Sequence, residues 1–167
     1  VRSTVRSIVD EVKRRFGDVA LPAIMLEPGR SIVADAGLTV YTCTSVKNAG
    51  KTSYVAVDGG MPDNPRFALY EASYKVRNVT RAAEEGTRLY TIAGRCCESG
   101  DLIQKNVSLP ETKRGDFIAV ETTGAYNYSM ASNYNRLPRP AVIMLDKNEE
   151  HIVVRRETFG DILDNDL

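Results

Sequence analysis

The 167-residue chain has no tryptophan, one histidine (His151) and three cysteines, Cys43, Cys96 and Cys97. No C-x-x-C occurs and histidine is single, so the paired ligand spacing of a zinc site is missing. An odd cysteine count without framework spacing speaks against a disulfide scaffold and for reduced thiols in the cytoplasm. Net charge is also missing: 22 basic side chains balance 22 acidic ones. No overall field therefore draws the protein to nucleic acid or to an anionic membrane. The short basic clusters at 13–15 and 155–156 lie inside periodic segments and read as solvated faces. No apolar run approaches the roughly 18 residues of a membrane span, and no signal-peptide core opens the chain. Repeats and low-complexity segments are absent too.

What remains is ordinary soluble, globular composition, 43% hydrophobic and 26% charged, enough for one core or for one domain plus part of another. Val5, Ile8, Val9, Val12 and Phe16 fall at helical spacing, and Gly17 follows as a stop. "LPAIML" (21–26) reads as a buried parallel strand, and "SIVADAG" (31–37) as the first turns of a second helix. This α/β piece cannot bury its faces alone, and the chain opens almost inside a helix. The expectation is a cut within a larger protein.

From Leu38 the pattern changes to alternation. "LTVYTCTSV" and "TSYVAV" flank "KNAGK" as a hairpin. Further β-type runs occupy 74–80, 87–95, 101–107, 116–121, 141–145 and 151–157, spaced as in a sandwich or barrel. "TFGDILDNDL" closes as a short helix or a frayed tail.

Four loops combine glycine with charge or tyrosine at strand ends, where functional groups are commonly positioned. In "EPGR" (27–30) the backbone could approach a phosphate with Arg30 supplying charge, or simply turn a strand into a helix. "DGGMPDNPRFALY" (58–70) is long and stiff. If it turns helical, Arg66 and Tyr70 share a face, either to hold a carboxylate or to form a structural contact. "RCCESGD" (95–101) sets Cys97 beside Glu98. If extended, it buries one of Cys96 and Cys97 and presents the other. A thiol of ordinary pKa near 8.5 is mostly protonated at neutral pH, and a neighbouring carboxylate keeps it so. Such a group is a poor nucleophile and a workable proton donor to a carbanion. In "TTGAYNYSM" (122–130), Tyr126 offers a ring and a hydroxyl, and Tyr128 faces the other way in an extended backbone. Both could equally be packing residues.

Taken in order, "EPGR", "DGGMPDNPR–ALY", "CESGD" and "GAY" closely resemble the C-terminal part of the diaminopimelate decarboxylase family. That family lies among the fold-type III, ornithine/lysine/arginine class of pyridoxal-phosphate decarboxylases. The resemblance runs to "VVRRETFGDIL" near the end. It implies a mainly β chain: a β-barrel or sandwich domain over 38–167, preceded at 1–37 by the last helix–strand piece of a (β/α)8 barrel that binds pyridoxal 5′-phosphate. By resemblance Glu27, Pro28, Gly29 and Arg30 approach the cofactor phosphate, and Tyr126 contacts cofactor and substrate. Arg30, Arg66 and Tyr70 meet the substrate's distal carboxylate, and Glu98 its distal amino group. Cys97 matches the proton donor, contributed to the neighbouring subunit's site in a homodimer.

The implied reaction releases CO2 from meso-diaminopimelate to give L-lysine. The family's Schiff-base lysine sits in a "YAxKA"-like strand that this chain lacks, so the chain alone is expected to be inactive. Phe67 stands where the family often has proline. Two other readings stay open: a decarboxylase for ornithine, arginine or a carboxy-polyamine, and a non-catalytic β-domain that binds or regulates. Glu98, where those relatives commonly carry aspartate, favours diaminopimelate.

Overall fold

A computed structural model describes residues 2–17, 20 and 23–167. Helix α1 spans Arg2–Phe16, with Lys13, Arg14 and Arg15 in its last turn, where cations complement the helix dipole. Gly17 adopts φ +68 and its N–H donates to Lys13 O at 2.8 Å, the expected stop. The predicted stripe is there, but none of its residues is buried.

The expected strand at 21–26 falls partly outside the described residues. What is described of it, 23–26, is not a strand: Met25 is 89% exposed. A parallel strand needs hydrogen-bonding neighbours, and no strand among the described residues pairs with this segment. The second helix forms as one turn, α2 (Arg30–Val33), tightening into a 3₁₀ turn at Ala34–Ala36.

Strands β1 (Leu38–Ala49), β2 (Thr52–Val57), β3 (Val76–Asn78), β4 (Arg88–Ala93), β5 (Leu102–Leu109) and β6 (Phe117–Glu121) make one sheet of order β3-β6-β1-β2-β4-β5. A two-residue turn, Gly50 at φ +61 and Lys51, joins β1 to β2. The sheet's two edges meet. Tyr74 N–H donates to Gln104 Oε1 at 2.8 Å, and Asn78 Nδ2 to Thr112 Oγ1 at 3.1 Å, so the six strands nearly close into a barrel.

Alternation along each strand fills the interior with Tyr41, Cys43, Val55, Val57, Tyr90, Ile92, Ile103, Leu109, Ile118 and Val120. This is the period-2 pattern of the sequence carried into a single core. Asp116, buried, closes one part of the wall by accepting from Asn78 Nδ2 (2.9 Å), Arg81 Nε (2.8 Å) and Lys113 N–H (2.9 Å).

A separate ribbon pairs β7 (Val142–Asp146) with β8 (Glu149–Val154). Helix α4 (Phe159–Leu163) ends the chain's regular structure, started by a reciprocal cap between Thr158 and Asp161. No helix among the described residues is long and apolar enough to cross a membrane.

Candidate functional site

All pairings in the six-stranded sheet are antiparallel except one: β2 and β4 run parallel, Ser53 opposite Tyr90 and Ala56 opposite Ala93. Two parallel neighbours release their following loops at the same end of the sheet. The loop after β2 is "DGGMPDNPRFALY" and the loop after β4 is "GRCCESGD", so topology alone sets two of the four motifs side by side. Arg95 N–H donates to Gly59 O at 2.9 Å and extends the pairing past the strands.

One carboxylate locks these loops together. Asp101, 2% exposed, accepts from Met61 N–H at 2.6 Å through Oδ1 and from Cys96 N–H at 2.7 Å through Oδ2. The space is tight. A Cβ at Gly60 would lie 2.5 Å from Asp101 Oδ1, and one at Gly94 2.2 Å from Oδ2. Gly60 also sits at φ +154, which side chains rarely adopt. Beside it Asp63 accepts from Tyr41 Oη at 2.5 Å and from Gly60 N–H at 2.9 Å. Burial, before any neighbouring charge, raises the pKa of both Asp63 and Tyr41.

The segment after Pro65 does turn helical, as α3 (Arg66–Tyr70). Arg66 and Tyr70 then share a face, with the guanidinium carbon 5.3 Å from the ring centroid. Arg66 Nε is buried without a partner. Phe67 carries Lys105 over its ring at 5.8 Å.

The "RCCESGD" stretch is bent rather than extended, because Asp101 pulls its backbone inward. It still separates the two thiols, leaving Cys96 half-buried and Cys97 exposed. Burial, followed by Asp101, pushes the Cys96 thiol up to about 11. Cys97 Sγ donates to Glu98 Oε1 at 3.6 Å. The same oxygen accepts from Tyr134 Oη, on the 3₁₀ turn Tyr134–Arg136. That phenol, then the Glu98 backbone N–H, holds the Glu98 carboxyl below the usual range. Glu98 Oε2 is buried and has no partner. Sequence reasoning missed Tyr134. No spacing rule connects it to Glu98, and only its place in an Asn- and Pro-rich turn marked it at all.

The other two motifs form a second cluster. Tyr126, at φ +59, lays its ring on Gly29, where a Cβ would come within 2.2 Å of the phenol oxygen. Only glycine fits there. Arg30 Nη2 donates to Thr122 O at 3.1 Å, while its Nε is buried without a partner. Gly124 N–H to Ala34 O (2.9 Å) and Thr123 N–H to Gly37 O (2.9 Å) fasten the two segments. Glu27 and Pro28 are exposed. Tyr128 does not oppose Tyr126 across an extended backbone, because the chain turns left-handed at 126 and begins a 3₁₀ turn at 128.

Among the described residues, no hydrogen bond or ion pair joins the Cys97–Glu98 group to Arg30 or Tyr126. The first cluster offers a thiol proton and a carboxylate with a free oxygen. The second offers an unsatisfied guanidinium N–H beside bare backbone, a fit for an anionic cofactor group.

Comparison with known proteins places this arrangement. A family model described as the C-terminal sheet domain of pyridoxal-dependent decarboxylases matches residues 8–124. Diaminopimelate decarboxylase of Bacillus subtilis is 52% identical over 167 residues, covering 98% of this chain and 38% of that protein. The crystal structure of diaminopimelate decarboxylase from M. jannaschii in co-complex with L-lysine superposes with a TM-score of 0.83 at 33% identity, covering 97% of this chain and 37% of that one. The Helicobacter pylori enzyme complexed with L-lysine gives 0.79 at 34% identity, covering 95% and 38%. The chain thus spans about two-fifths of the length of the proteins it matches. With its sheet order, its loops and nearly all of its length accounted for, the chain belongs to the pyridoxal-dependent decarboxylases, as their C-terminal sheet domain.

Proposed function

We propose that this chain is the C-terminal part of a pyridoxal-phosphate-dependent meso-diaminopimelate decarboxylase, which releases CO2 to give L-lysine. The observation that carries the reading is the charge pattern of unsatisfied buried atoms in the first cluster: Glu98 Oε2 on one side, Arg66 Nε on the other. A substrate whose far end bears both an ammonium and a carboxylate answers both. One that lacks the carboxylate leaves the buried arginine N–H unmet, a heavy penalty for discrimination. The lysine complexes of the M. jannaschii and H. pylori enzymes support it.

In this reading Glu27, Pro28, Gly29 and Arg30 hold the cofactor's phosphate end, with Tyr126 packed over Gly29 to orient it. When bound, pyridoxal phosphate accepts the electron pair released as the C–CO2 bond breaks. Arg30, Arg66 and Tyr70 bind the distal carboxylate, Glu98 binds the distal ammonium, and Tyr126 also contacts the substrate. Cys97 Sγ holds the proton that replaces CO2 on the substrate carbon.

We read the Cys97 loop as completing the partner's site in a homodimer; among the described residues no hydrogen bond ties Cys97 or Glu98 to Arg30 or Tyr126. We place the boundary of the sheet domain at 37/38, after a barrel remnant at 1–37. The chain alone is inactive, since the cofactor-bearing lysine lies elsewhere. Three reduced thiols suit a cytoplasmic setting.

The test is turnover by the complete protein, with meso-diaminopimelate and L-ornithine compared by product and kcat/KM. We expect L-lysine formation and a strong preference for diaminopimelate. A preference for ornithine refutes the assignment.

A further inference from the structure

We propose that Tyr134 is a positioning residue that commits one oxygen of Glu98 to the protein and reserves the other for a ligand's ammonium group. The proposal rests on the reading of Glu98 as the ammonium site.

Tyr134 Oη and Cys97 Sγ both donate to Glu98 Oε1. Glu98 Oε2 is buried and accepts nothing. An ionised carboxylate offers about four acceptor positions, and an empty buried one calls for a donor brought from outside. Two donors on one oxygen fix the rotation of the group, so the second oxygen points one way.

The chemistry of the partner matters as much as its position. A phenol donates without adding charge, so Glu98 keeps its full negative charge for a cation. An arginine or lysine in the same place would neutralise it and compete with the ligand. The other titratable groups facing this cluster are Cys96 and Cys97.

The turn carrying Tyr134 is held for the purpose. Asn135 and Arg136 adopt φ +53 and +56; asparagine takes this left-handed conformation readily, whereas arginine needs surroundings that hold it there. The surroundings here are Ser132 N–H to Pro62 O (2.8 Å), Asn133 Nδ2 to Leu137 O (3.1 Å) and Asn133 Nδ2 to Glu157 Oε2 (2.6 Å). The next side chain, Asn135, lies close enough to the Cys96 thiol to lower its pKa against the effect of burial. Adjacent residues of one turn thus meet both ends of the Cys96–Glu98 segment.

The experiment measures binding of L-lysine and of 6-aminohexanoate, which keeps the reacting-end amine and the distal carboxylate but lacks the distal ammonium, to the complete, cofactor-loaded enzyme by titration calorimetry. The proteins compared are wild type, Tyr134→Phe and Glu98→Gln. Tyr134→Phe is expected to weaken lysine roughly 10-fold, the scale of one hydrogen bond to a charged group, and to leave 6-aminohexanoate unchanged. Equal weakening of both ligands overturns the proposal by reducing Tyr134 to a general scaffold. If Glu98→Gln weakens lysine and Tyr134→Phe does not, the proposal fails while the Glu98 site stands. If Glu98→Gln leaves lysine binding intact, the ammonium site itself falls, and the proposal with it. Should Tyr134→Phe fail to fold, Tyr134→Trp keeps an uncharged ring donor: retained discrimination between the two ligands supports the proposal, and lost discrimination overturns it.

Discussion

Cys96 and Cys97 are neighbours in the chain and opposites in the fold. One thiol is drawn toward Asp101 and raised to about 11, and the other lies exposed beside Glu98. Under the proposed function only the second moves a proton. In the complete enzyme, Cys97→Ala should lower kcat by roughly 100- to 10,000-fold, the usual loss for one positioned acid, with KM changed only a few-fold. Near-normal kcat in steady-state assays would remove the role. At this scale the sequence displayed Cys97, Glu98, Arg66 and Tyr70 through local spacing. It hid what holds them. Tyr134 lies 36 positions from Glu98, and Asp101 reaches back 40 positions to Met61. Neither partnership follows from any periodicity, since each exists only once the barrel has formed.

The strands were legible because alternation survives in a half-buried sheet: Ser53, Val55 and Val57 are buried while Tyr54 and Ala56 between them are only partly so. "LPAIML" misled because a continuous apolar run encodes burial but not the neighbours that provide it. The parallel partnership of β2 with β4 was equally invisible, as strand direction leaves no mark on composition.

One inter-element tie makes a pH prediction. Glu157, after β8, accepts from Arg139 Nε (2.7 Å), Arg139 N–H (2.7 Å) and Asn133 Nδ2 (2.6 Å), and Arg139 first of all lowers its pKa to about 2. Its ordinary value is near 4.3. The unfolded chain therefore binds the extra proton first on acidification. This tie stabilises fully above the ordinary value and is lost as pH falls from about 4 toward about 2. Thermal melts at pH 6 and pH 3 should show a smaller acid-induced drop in Tm for Glu157→Gln than for wild type. Equal drops would contradict the assignment.

Taken whole, the chain leaves apolar faces uncovered. Helix α1 buries none of its stripe, and Ile143, Met144, Leu145, Ile152 and Val153 of the β7–β8 ribbon are all more than half exposed. A lone two-stranded ribbon is marginal in water, so these faces need cover from other protein. The proposed dimer has its own test. Complete Cys97→Ala protein, inactive through one half of the site, is mixed with a complete variant lacking the cofactor-bearing lysine. Hybrid dimers then carry one intact site, and activity should rise toward roughly a quarter of wild type, the fraction expected for random exchange of subunits with one good site in each hybrid. No recovery despite demonstrated exchange would exclude shared sites.

The same-direction pairing of β2 and β4 also bears on how the molecule folds. A two-residue turn brings β1 to β2, whereas β2 meets β4 only after the crossover formed by residues 58–87. Joining ends across about 30 residues rather than two costs on the order of 2 kcal/mol more chain entropy. The hairpin can zip early, while the long crossover has to wait for other contacts to offset its cost. The loops that follow β2 and β4 would then be joined late in folding, after most of the wall that carries them has set.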